Sequence, residues 1–243
     1  HTNDRRQRQM CIRDRHITTA SYNAATVFYV SKRGNNRGGQ SWQTAWNELD
    51  QIDWRSVGPG STIIVDGGSL EMTYTTPMSI ESSGTREAPI RIQRARESGR
   101  SGKVIIFGGR VNALPHCFQT NAAYQTDGIE NFGIRTNNHS WLIIDGADWR
   151  GFTIHGFHES GIRIDRRSEN VTIRNVEIYN NGHAEYGSRG WFPEGVGIRL
   201  SGPNMVVERA IIHDNGQDAI QSMWHDNNIS NFRINQSWLY NGR

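Results

Sequence analysis

The chain has 243 residues, 35% of them apolar and 26 of them glycine, enough to bury a sizeable core in one elongated domain. No stretch approaches the run of about 18 apolar residues that a membrane helix needs, so a helical membrane span is excluded. The formal charge of +3 suggests an anionic partner, but Arg5, Arg6, Arg8, Arg13 and Arg15 less Asp4 and Asp14 already give +3. The sequence from His16 onward therefore sums to zero with neutral histidines, and no nucleic-acid-binding role is expected.

Within that basic stretch, MCIRDR resembles the translation of an adaptor used in preparing sequencing libraries. Residues 1–15 are expected to be adaptor-derived and residues 1–26 to form a disordered lead, both outside the fold. Cys11 lies in this stretch and Cys117 stands alone, which leaves no disulfide framework and no metal-binding cysteine pair. TVFYVS (26–31) reads as a strand and RGNNRGG (33–39) as a loop. In SWQTAWNELDQI, Ser41 is a good N-cap, and Trp42, Trp46, Leu49 and Ile52 or Asp53 follow helical spacing, so a short amphipathic helix is expected. Residues 27–60 thus make an opening strand and a capping helix. GPGSTIIVDGG, APIRIQR and KVIIFGG then supply strands separated by turns.

From residue 141 the sequence becomes self-similar. NVTIRNVEIYNN (170–181), NMVVERAIIHDN (204–215) and NFRINQSWLYNG (231–242) align with apolar residues in the same columns: Val171, Met205 and Phe232; Ile173, Val207 and Ile234; Ile178, Ile212 and Leu239. GIRI at 161, GIRL at 197 and AIQS at 219 supply a third strand per unit, and Gly197 to Ala219 gives a period of 22 residues. Alternation turns one set of side chains inward, and no unit is large enough to bury that set alone, so the units must stack. The expected fold is all-β: a right-handed single-stranded parallel β-helix (a solenoid) over 61–243, with a short N-terminal capping helix. The last unit ends at LYNGR without a closing cap, so truncation at the C-terminus is expected.

FYVSKRGNN, SWQTAWNELDQI and GPGSTIIVDGG, together with the repeated N-x-x-I-x-N-x-x-I-x-x-N-G pattern, resemble the pectin-lyase-like superfamily over residues 27 to 243. That resemblance implies a carbohydrate-active, secreted or cell-surface protein, expected to be a monomer. Its partner would be a polysaccharide, and an acidic one. It points to a polysaccharide lyase or epimerase-like enzyme on uronate-containing glycans; an inverting glycoside hydrolase or a non-catalytic glycan-binding surface protein are the alternatives. The W-I-D-H and R-x-P-x-x-R elements of the best-known pectate lyases are absent, as are the N-T-D, G-H-G and R-I-K elements of polygalacturonases. Lysine occurs only at 32 and 103, which excludes a catalytic lysine in the repeats.

Ile154 to Gly161 and Ile212 to Ala219 are both seven residues, so two corners match without gaps. His155, Tyr179, His213 and Tyr240 are then expected to project outward as a ladder with rungs about 4.8 Å apart. Breaking a uronate polymer by β-elimination needs a base for the proton α to the carboxylate, an acid for the leaving oxygen and a cation or donor on the carboxylate. His213 and Tyr179 are the candidate proton-handling pair, and Asp218, before the third strand, is a further ligand or base. Arg163, Arg199 and Gln221 align on the third strand as candidate carboxylate grips, with a bound calcium ion as another route and no metal ligands assigned. Ile178 to Gly197 is nineteen residues, and the extra segment carries His183, Glu185, Trp191 and Glu194; His183 and Trp191 are candidate substrate contacts. For a hydrolase, Asp214, Asp218 or Glu194 would supply the carboxyl groups. Stacked Asn181 and Asn215 read as structural.

Overall fold

The computed structural model describes residues 26–109, 132–187, 190–222 and 229–240; within 183–194 it describes the backbone only. Cys117, Trp224, His225 and Asp226 fall outside the described residues, as do residues 1–25.

Among the described residues three parallel sheets form the walls of the solenoid. Sheet A runs, neighbour to neighbour, through Val27–Val30, Thr62–Val65, Ile90–Arg94, Leu142–Asp145, Val171–Arg174, Met205–Glu208 and Arg233–Asn235. Sheet B stacks Glu71–Tyr74, Lys103–Phe107, Phe152–His155, Val176–Tyr179, Ile211–His213 and Trp238–Tyr240. Sheet C stacks Met78–Ser79, Phe132–Arg135, Ser160–Arg163, Val196–Leu200 and Ile220–Ser222. Each coil passes A, B, C and returns one rung higher, the right-handed sense that twisted parallel strands favour. The apolar columns pair in register, Val171 with Met205 and Ile178 with Ile212.

Alternation explains the core. Ile144, Ile173 and Val207 from sheet A face Ile154, Ile178 and Ile212 from sheet B and Ile134, Ile162 and Ile198 from sheet C, all buried. Each such side chain contributes roughly 1.5–3 kcal/mol by leaving water. At the corner between sheets B and C the space is closed by glycine. A Cβ on Gly161 would sit 2.4 Å from Ile178 Cγ2, and one on Gly197 2.3 Å from Ile212 Cγ2.

Corners turn through left-handed residues, a conformation that asparagine tolerates better than most. Asn175 (φ 58) turns A into B, and Asn180 (φ 51) and Asp214 (φ 49) begin the B-to-C corner. Trp141 (φ 58), Asn170 (φ 56), Asn204 (φ 58) and Asn231 (φ 54) turn C into A. A bulky tryptophan among these asparagines is an outlier.

The capping helix is not formed. Over residues 41–53 the only helical turn is a 3-10 turn at Leu49–Gln51, although Trp46, Leu49 and Ile52 are buried as an apolar face would be. The backbone of Trp46 is taken by a strand: its N–H donates to Tyr29 O at 3.0 Å, and Ser31 N–H donates to its carbonyl at 2.8 Å. Ser41 closes a tight turn with Thr44 instead of capping a helix. Helical spacing and a β-bridge bury the same residues here, and the bridge also satisfies Tyr29 O and Ser31 N–H at the edge of the first strand.

Candidate functional site

The corner between sheets B and C gathers most of the sequence candidates. At the last position of sheet B, Tyr179 pairs in register with His155 below and His213 above, and His213 with Tyr240. Their rings stack face to face: His155 on Tyr179 at 4.8 Å, Tyr179 on His213 at 5.2 Å and His213 on Tyr240 at 4.8 Å, all within 11° of parallel. Phe107 continues the column below His155 at 5.0 Å.

The ring column leans on a buried carboxylate that sequence reasoning missed. Glu177, two residues before Tyr179 and hence on the same outward side of the strand, is 4% exposed and ion-paired with Arg150. Its Oε1 lies 3.6 Å from His213 Nε2, an atom buried without a hydrogen-bond partner. The other ring nitrogen, Nδ1–H, donates to Asp214 Oδ2 at 2.7 Å, since a carboxylate can only accept. Burial raises the Tyr179 phenol above its ordinary pKa, and the charge of Glu177 adds to the rise, so the phenol stays protonated through neutral pH. Burial lowers His155, which keeps that ring neutral. The signal for Glu177 was its even spacing from Tyr179; nothing in the sequence signalled Arg150, which comes from the longer corner of the coil below.

On the outward face of sheet C, Arg135, Arg163 and Arg199 stand one above another, with Gln221 next in the column. Two carboxylates thread them together. Asp165 takes Arg135 in a fork, at 2.9 and 3.1 Å, and touches Arg163 at 3.3 Å. Glu159 takes Arg163 at 2.7 Å and also Arg199. Three guanidinium groups face these two carboxylates, and Asp218 beside Gln221 is a third. Asp218 accepts from Gln221 Nε2 at 3.0 Å, and together they line an open depression with Gln217, Ile220 and Ser222.

Between the columns, Asn181 and Asn215 form a buried amide ladder. Asn181 Oδ1 accepts from Phe157 N–H at 3.1 Å, while its Nδ2 donates to Asn215 Oδ1 at 3.0 Å. The long segment is an antiparallel hairpin, His183–Gly187 against Gly190–Glu194, rooted at this corner. The side chains of His183, Trp191 and Glu194 lie outside the described residues. Among the described residues no group of three or more His, Cys, Asp or Glu side chains is placed to hold a metal ion, and no helix is long and apolar enough to cross a membrane.

No protein-family model and no curated protein matches the sequence. The chain superposes on a rhamnogalacturonan lyase with a TM-score of 0.58 at 11% identity, covering 88% of this chain and 51% of that one. The fold the two share is the parallel β-helix. An alginate lyase from Paenibacillus sp. superposes with a TM-score of 0.49 at 16% identity over 74% of this chain and 53% of that one. For a lacto-N-biosidase from Eubacterium ramulus the values are 0.48, 12%, 86% and 34%. The chain thus spans about half the length of the two lyases.

Proposed function

We propose that this chain belongs to a carbohydrate-active enzyme of polysaccharide lyase or epimerase type, acting on uronate-containing glycans at the corner between sheets B and C. The observation that carries this reading is the arginine column. Arg135, Arg163 and Arg199 repeat at the rung spacing on one outward face with Gln221 next in the column, an arrangement that suits a row of sugar carboxylates.

In the proposed reaction a carboxylate held by Arg199, Arg163 and Gln221 acidifies the adjacent C–H. A base takes that proton, the C4–O4 bond breaks as the C4–C5 double bond forms, and an acid protonates the departing oxygen. In epimerisation the same carbanion is reprotonated from its other face. Tyr179, held protonated, is the acid. His213, aligned by Asp214, and Asp218, which lies outside the ring stack, share the base role. His213 Nε2 is buried 3.6 Å from Glu177 Oε1, so in this geometry the ring holds Tyr179 in place while Asp218, lining the open depression, faces the substrate. His183 and Trp191, carried on the hairpin rooted at this corner, are the proposed substrate contacts. The protein acts as an extracellular monomer.

The test is ultraviolet absorbance from unsaturated products over a panel of uronate polymers, with epimerisation followed by product NMR. Tyr179→Phe should lower kcat by about a hundredfold, and Arg199→Gln should raise KM by about tenfold. Turnover unchanged in both variants, or reducing ends released without unsaturated or epimerised sugars, would overturn the reading.

A further inference from the structure

A second surface, on a different wall, has the chemistry of a glycan track. Along the corner where sheet C turns into sheet A, Trp141, Asn170, Asn204 and Asn231 line an open groove of about 620 Å³. Its floor is the outward column of sheet A, Ile143, Thr172 and Val206, paired in register. Arg86 and Arg233 flank it; both are exposed. The amides recur one per coil, about 4.8 Å apart, close to the rise per residue of an extended pyranose chain.

Trp141 is the informative member. It occupies the corner position that asparagine holds in the next three coils, and it does so in the left-handed region, where a bulky side chain is disfavoured. Asparagine would turn this corner with less strain, and Asn231 Nδ2 donating to Asn204 Oδ1 at 2.9 Å shows how asparagines link neighbouring coils. Strain kept at a groove is a mark of function. A half-exposed indole presents an apolar face to the C–H face of a sugar ring, while the amides take its hydroxyls and the terminal arginines its carboxylates.

We propose that this groove binds a linear uronate oligosaccharide running parallel to the solenoid axis, with Trp141 as the stacking platform. The groove shares the ligand class of the proposed function but none of its residues, and it holds a stretch of polymer away from the reacting corner.

The probe is a galacturonate pentamer titrated calorimetrically into the wild-type chain and Trp141→Asn. The substitution installs the residue that the same corner carries elsewhere, so Tm should hold or rise while affinity falls by about tenfold. Unsaturated-product absorbance read from the same samples reports separately on the corner between sheets B and C. Equal affinity of the two proteins, or no binding by wild type, overturns the groove whatever the absorbance shows. Lower affinity with an intact Tm supports it, even if no product forms.

Discussion

Glu177 is the residue on which the local electrostatics turn. A buried carboxylate survives because Arg150 pairs with it and His213 lies within reach. Arg150→Met should therefore cost about 2 kcal/mol in urea unfolding, less than a fully buried pair because Arg150 is 43% exposed. Glu177→Gln in the same chain should restore most of it; equal stability of wild type and Arg150→Met would remove the pairing from the account. His155 tests the ring column through pH. Its pKa is lowered by burial, so the unfolded chain takes up a proton below about pH 6.5 that the folded chain refuses. Its contribution is present above that pH and is lost as pH falls toward the folded value. His155→Phe, which copies Phe107 one rung below, should flatten the loss of stability between pH 7.5 and 5.5. The stack itself was legible because four rings fall after the same apolar column. The burial of Glu177 was not, because it depends on an arginine from another coil.

At the scale of elements, the coils are shaped by what cannot fit. Gly161 and Gly197 lie in register on sheet C beneath the isoleucines of sheet B, where a Cβ would press on Ile178 or Ile212. Gly197→Ala should destabilise by about 1–3 kcal/mol through overpacking, measured as a fall in the denaturant midpoint with unchanged slope. An unchanged midpoint would mean that the corner yields. Ala219 takes the equivalent place one coil later, where it is only half-buried, so the requirement relaxes there. The strand columns could be read from period-2 alternation alone, since Val171, Ile173 and Ile178 recur at fixed offsets. The 41–53 segment was misread for a physical reason. Trp46, Leu49 and Ile52 are buried, but their spacing cannot say whether the backbone of Trp46 bonds within a helix or to Tyr29 and Ser31.

Over the whole molecule, stacking converts sequence offsets into surfaces. Residues about one coil apart become neighbours, so three arginines from Arg135 to Arg199 form one column and four corner residues from Trp141 to Asn231 form one groove. The solenoid was readable from repeats because each coil reuses the same inward pattern. The chemistry was readable only in part: Arg163, Arg199 and Gln221 align as the repeat requires, and Arg135 closes an earlier G-I-R triplet (133–135) of the same kind, while Glu159 and Asp165 belong to the column through contacts that no motif announces. Its row of guanidinium groups makes the central claim one about carboxylates. The most direct measurement compares polygalacturonate with its carboxyl-reduced counterpart, following unsaturated product by absorbance and epimerised product by NMR. The account predicts product from the acidic polymer and none from the neutral one. Equal turnover of the two, or turnover of neither across the uronate panel, would contradict it.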